Sequence, residues 1–336
     1  RDIGVTGVQT CALPIYLANN TLENLNQVDA RYLGLGELLR RNINDPAVQA
    51  QGFRAPYAGF NGTLAQALRP FPQFQGITYI DSPSGNSNYH ALLAKYEQRF
   101  TSGLAVLASY TFSKFISDVE MVQGGTSQLQ NALDRRAERA VTNIDIPHRL
   151  ITSVAYELPF GKGKRWASSG WRSHLLGGFA VSGILTYESG APLRVTIPNG
   201  LAIFNGQLRP NLVAGVDPFL NRSHGSFRPQ NGLSGEQGDL MLNRAAFATP
   251  AANTFGNLAP YLPTVRAFGY SNEDISISKR NYFGESQFLE FRTDWFNAGN
   301  RVQLTAPVTD LTNPAFGRIN GQKAARVIQL GIRYGF

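Results

Sequence analysis

One cysteine, four histidines and two methionines are all the soft or imidazole ligands among 336 residues. So small a supply leaves no zinc-type Cys/His spacing and no disulfide framework. Charged residues are also few, at 16%, beside 43% hydrophobic residues, a balance opposite to that of a disordered chain. No run of about 18–20 residues is apolar enough for a membrane helix. The nearest, Ser173 to Tyr187, carries no formal charge but is broken by Gly177, Gly178, Ser182 and Gly183. A helical membrane protein is thereby excluded; a membrane β-barrel is not. Catalytic motifs are missing too: no G-x-S-x-G, no H-E-x-x-H and no phosphate loop occurs. Gly161-Lys162-Gly163-Lys164 is followed by Arg165, not by the Ser or Thr of a phosphate cradle. His90, His148, His174 and His224 are scattered. The acid pairs Asp118 with Glu120, Asp134 with Glu138, Glu236 with Asp239, and Glu273 with Asp274 lack the further oxygens that calcium requires and read as solvated loop charge. The expectation is a protein that is not an enzyme and has no catalytic residue, cofactor or metal. The net charge of +8 is spread along the chain and makes no basic footprint, so nucleic acid is not an expected partner.

Glycine (34), proline (18) and aromatics (11%) are plentiful, the mixture of a chain rich in turns and strands. Period-two alternation dominates, and in a strand it sorts side chains onto opposite faces. Leu104, Val106, Ala108, Tyr110 and Phe112 oppose Ala105, Leu107, Ser109, Thr111 and Ser113. Leu150 to Leu158, Phe179 to Tyr187, Leu289 to Trp295 and Ile328 to Phe336 repeat the pattern, with a weaker instance at Asp274 to Tyr282 and another at Leu92 to Tyr96. Seven strands are predicted, near 88–100, 103–116, 147–159, 176–190, 271–283, 286–298 and 325–336. They are about twice the usual globular length, as suits strands tilted across a membrane. The second face carries Glu157, Glu188, Glu290, Arg292 and Asp294, which in a wide barrel would face a watery lumen. Aromatics near strand ends (Phe112, Phe115, Tyr156, Phe160, Tyr187, Tyr282, Phe283, Trp295, Phe296) suggest an interfacial girdle.

Short and long connections alternate. Thr101-Ser102-Gly103 and Gly284-Glu285-Ser286 are tight, and 160–175 is a basic, glycine-containing inner turn. Residues 117–146, 191–270 and 299–324 are long polar loops. Brief turns on one side and extended loops on the other mark an outer-membrane barrel. Residues 16–87 lack a clear period and read as a further outer, extracellular loop region, with 88–336 as barrel strands. Val5 to Ile15 (VTGVQTCALPI) resembles the translation of a short-read sequencing adapter, so residues 1–15 are expected to be non-biological and the start of the gene product to be missing.

At the chain end, Ile328, Leu330, Ile332, Tyr334 and Phe336 alternate up to a terminal aromatic. They resemble the signal by which the barrel-assembly machinery captures an amphipathic edge strand.

Further segments point the same way. They are Ser87 to Leu92 (SNYHAL), Leu104 to Lys114 (LAVLASYTFSK), Asp145 to Leu150 (DIPHRL), Tyr156 to Arg165 (YELPFGKGKR), Gly177 to Pro192 (GGFAVSGILTYESGAP) and Phe316 to Ile319 (FGRI). In this order they resemble the β-barrel of Oar-like TonB-dependent receptors, over about residues 20–336. The resemblance implies an all-β, transmembrane antiparallel barrel of about 22 strands, of which this chain would be the C-terminal portion. It also implies a plug domain and TonB box upstream. The implied activity is import of an unidentified solute in the Gram-negative outer membrane, driven by the TonB complex. The implied partners are outer-membrane lipid, the barrel-assembly machinery, the TonB complex and that solute. The alternatives are a passive outer-membrane porin or adhesin barrel, and a soluble carbohydrate-binding β-protein.

Overall fold

The computed structural model describes residues 8–11, 23–79, 85–119, 129–198, 207–227, 240–283 and 287–336. Seven long strands run in chain order: β1 Ser87–Thr101, β2 Leu104–Ser117, β3 His148–Glu157, β4 Phe179–Glu188, β5 Tyr270–Phe283, β6 Gln287–Phe296 and β7 Val327–Gly335. All seven predicted strands are present. Each pairs antiparallel with its neighbour in sequence, giving one up-and-down sheet. Val8–Cys11, within the adapter-like segment, pairs with β1 at Tyr89 to Leu92, and Ala140–Val141 adds a short strip beside β2. The sheet is open: among the described residues β7 pairs with β6 alone.

The register carries the alternation from strand to strand. One row runs Gln98, Val106, Val154, Gly183, Ile275, Trp295, Ile328 across all seven. A parallel row on the other face runs Glu157, Ala180, Ser278, Arg292, Gly331. A slip of one residue in any pair would exchange the faces. The girdle expectation divides here. Phe112, Tyr156, Tyr187, Phe283 and Trp295 share the apolar face, whereas Phe115, Tyr282 and Phe296 fall on the polar one. Clustering near strand ends does not fix the side; residue parity does.

β1 and β2 join through Ser102 (φ 55) and Gly103 (φ 84), the two left-handed residues of a type I′ hairpin, whose twist matches that of the strands. The turn Gly284-Glu285-Ser286 lies outside the described residues. β4 begins later than predicted because helix Gly170–Leu176 occupies the preceding turn. Gly178 (φ 76) then brings the chain so close to β5 that a Cβ there would stand 2.0 Å from the Arg280 carbonyl oxygen.

The remaining connections, 118–147, 189–269 and 297–326, all leave the opposite rim, as does the segment leading into β1. Their described residues fold into a cap with its own core. Val28, Leu39, Ile43, Val48 and Leu64 pack with Val195, Leu242, Leu258 and Val265 and with Leu311, Phe316 and Ile319. The region that lacked a sequence period is therefore ordered by short capped helices. Asp29 caps a 3₁₀ segment at Ala30–Arg40, Asp45 with Pro46 starts Pro46–Ala50, and Thr63 caps Leu64–Ala67. The long loop 191–270 contains short strands, Asn211–Leu212 paired with Phe247–Ala248. None of the cap's core cluster comes from β1–β7.

Candidate functional site

The polar face of the sheet is a ladder of ion pairs. The Arg280 guanidinium donates to Glu290 (Nε–Oε2 2.9 Å), and Arg292 donates to Asp294 (2.7 Å) and to the Ser276 hydroxyl (3.1 Å). Arg149 pairs with Glu188 across β3 and β4 (2.7 Å), and Lys164 from the inner turn reaches Glu157 (2.8 Å). Lys95 and Arg99 both contact Glu97 (2.8 Å each). Glu157, Glu188, Glu290, Arg292 and Asp294 thus lie on one face, each with a partner of opposite charge. Such solvated pairs add little stability one by one, at most about 1 kcal/mol. Together they make a surface that is charged yet nearly balanced.

Among the described residues no second sheet covers the apolar face. Besides the large sheet, only two 2-stranded sheets occur among the described residues, so no second layer packs against it as a sandwich requires. Leu330 is 80% exposed and Ile332 73%. With Ile328, Tyr334 and Phe336 they run down the free edge, from Ile328 near the loop rim to Phe336 at the turn rim. His148, in the D-I-P-H-R segment, stays on this face, its Nδ1 2.8 Å from the Tyr110 hydroxyl and its ring 5.1 Å from that of Phe112.

Cap and wall are joined by buried ion pairs that the sequence did not announce. Arg209 and Glu138, 2% and 1% exposed, sit at the centre of the cap. Arg209 also donates to the Leu258 and Ala137 carbonyls, and Glu138 Oε1 accepts from the backbone N–H groups of Gln130 and Asn131. Gln130 reaches the Gly256 carbonyl (2.9 Å), and Gln27 donates to Asn131 (2.7 Å), so three separate connections meet there. At the rim, buried Asp145 accepts from the Phe115 N–H of β2 and from Arg266, whose guanidinium also binds the Gly190 carbonyl beyond β4. Glu273 on β5 accepts from Arg301 (Nε–Oε1 2.8 Å) and from the Tyr187 hydroxyl (2.8 Å).

The acids expected to be solvated are in these cases committed to arginine. Glu138 is buried, Asp118 meets Arg135 (3.4 Å) and Glu273 meets Arg301. Burial forces the pairing, since an isolated carboxylate inside a cap would be neutralised instead. Glu120, Glu236 and Asp239 lie outside the described residues. Among the described residues no three His, Cys, Asp or Glu side chains converge as metal ligands. Two loop acids, the exposed Asp217 and the half-buried Asp310, have carboxyls held below the usual range. For Asp217 the Phe219 N–H and then Arg222 are responsible; for Asp310 it is the Thr312 hydroxyl and N–H.

Long antiparallel strands, an uncovered apolar face, a charged opposite face and loops gathered at one rim define a wall segment of a membrane β-barrel. The family model described as "Outer membrane beta barrel domain" matches residues 21–329, and the chain belongs to that family. Its place is the outer membrane of a Gram-negative bacterium. No curated protein matches the chain.

Proposed function

We propose that this barrel wall belongs to a TonB-dependent receptor of the Oar-like type, which imports a solute captured by its outer loops. The observation that carries the reading is the open sheet: hydrocarbon cannot satisfy the free edge of β7, so the wall requires further strands. A barrel of about 22 strands, as the family resemblance implies, would be wide enough to hold a plug. The ordered cap, locked at Arg209 and Glu138, supplies a preformed outer surface, and Glu157, Glu188, Glu290, Arg292 and Asp294 would line the lumen beneath it. The family segments quoted above support the same reading. The outer-membrane localisation supports outer-membrane lipid and the assembly machinery as proposed partners; the TonB complex and the solute follow from the receptor reading.

The test is conductance of the intact gene product in a planar bilayer without the TonB complex. A plugged receptor stays closed. A steady open conductance would overturn the proposal in favour of a passive porin.

A further inference from the structure

We infer that the turn between β3 and β4 is a membrane-surface anchor. It lays Trp171, Leu175 and Leu176 into the interfacial layer of the adjacent leaflet and holds anionic phospholipid headgroups with Lys162, Arg165 and Arg172. The inference rests on the apolar face meeting lipid, and it adds a specific attachment beyond that face.

The helix Gly170–Leu176 buries none of its residues. Trp171 is 70% exposed, Leu175 55% and Leu176 44%. Residues 171 and 175 are one turn apart and share a side of the helix. So large an apolar display on a seven-residue helix marks a contact with another phase or partner. Its position selects the bilayer. Lys279 stands on the apolar face, between Phe179 and Phe291 in the register. Its ammonium donates to the Leu175 carbonyl at 2.9 Å and lies 5.2 Å from the Phe179 ring. The helix therefore hangs at the apolar-face side of the turn rim, where the hydrocarbon ends.

Charge matches the assignment. From Leu158 to Gly178 the chain has four cations, Lys162, Lys164, Arg165 and Arg172, and no carboxylate. Lys164 is taken by Glu157. The Arg165 and Arg172 guanidinium groups lie 5.5 and 5.7 Å from the Trp166 and Trp171 ring centroids. Indole beside guanidinium suits a layer that is apolar below and anionic above. Two weak signals, apolar insertion and basic attraction, combine into stable interfacial attachment. The turn is also rigid enough to aim them. The Gly161 N–H donates to the Trp166 carbonyl and the Trp166 N–H to that of Pro159, each at 3.0 Å, and the Phe160 and Trp166 rings lie 5.4 Å apart.

The chain has three tryptophans, so emission can be isolated. The full chain carrying Trp166→Phe and Trp295→Phe reports Trp171; a second variant, Trp166→Phe with Trp171→Phe, reports Trp295 on the apolar face. Both are folded, within the intact gene product with any further tryptophan replaced by Phe, into vesicles of phosphatidylcholine and phosphatidylglycerol brominated near the headgroup, after circular dichroism has verified sheet content. Trp171 should lose at least as much emission as Trp295. The loss should grow as phosphatidylglycerol replaces phosphatidylcholine, and shrink in K162Q/R165Q/R172Q. Quenching of Trp295 without Trp171 would overturn the anchor and leave the lipid-facing wall intact. Quenching of neither would overturn both. Trp171 quenching indifferent to phosphatidylglycerol would overturn the headgroup assignment.

Discussion

At the scale of single residues, the costliest groups are those whose charge has been taken out of water. Glu138→Gln leaves the Arg209 guanidinium buried with a weakened partner, and breaking such a pair costs about 3–5 kcal/mol. The expected result is faster proteolysis within the cap while the circular dichroism of the sheet is unchanged. Replacing both residues by Met should restore only part of the loss, because it removes the buried charges but orphans the Gln130 and Asn131 N–H groups that Glu138 accepts. Asp145→Ala should be as severe, since it orphans the buried Phe115 N–H and the Arg266 guanidinium together. Asp310 behaves differently because it is only half-buried. Its folded carboxyl is depressed by donors from Thr312, so its stabilising contribution is complete above the unfolded value of about 3.9. That contribution disappears as pH falls through the depressed folded value. The protection of the Thr312 amide against exchange, relative to an unstructured peptide at the same pH, should therefore fall only on the acid side of about pH 4.

At the scale of elements, the strands depend on close backbone approach at their ends. Gly178→Ala places a methyl group against the Arg280 carbonyl in a left-handed conformation, and the first residues of β4 must move away from β5. Folded yield should drop, measured by the heat-sensitive gel mobility of membrane barrels; an unaltered yield would show that this approach is dispensable. The strands were legible in the sequence because alternation is local: Leu104 to Phe112 states its own face without reference to any other segment. The same alternation sorts their side chains, and the register puts Glu157, Glu188, Glu290, Arg292 and Asp294 on one face. The cap was not legible. Its key contacts join residues 71 positions apart, Arg209 with Glu138, and 104 apart, Gln27 with Asn131. No period or motif links such partners. Helix Gly170–Leu176 was missed because its second half, Ser173 to Leu176, merges with the uncharged run into β4.

At the scale of the whole molecule, apolar area is distributed in reverse of a water-soluble protein. The tight core lies in the connections, and the regular sheet shows its hydrophobic side. In a Cys11→Ser background, single cysteines at Val106, Leu185 and Ile332 should react with a lipid-dissolved reagent. Their neighbours Leu107, Thr186 and Arg333 should react with a water-borne one. The reverse pattern would turn the wall inside out.

The gathering of every long connection at one rim has a consequence for how such a chain can change. Growth by insertion has one permissive end: segments added among the outer connections meet open space, whereas the Ser102-Gly103 hairpin has no slack to give. New specificities can accumulate there as interchangeable fittings on an unchanging socket.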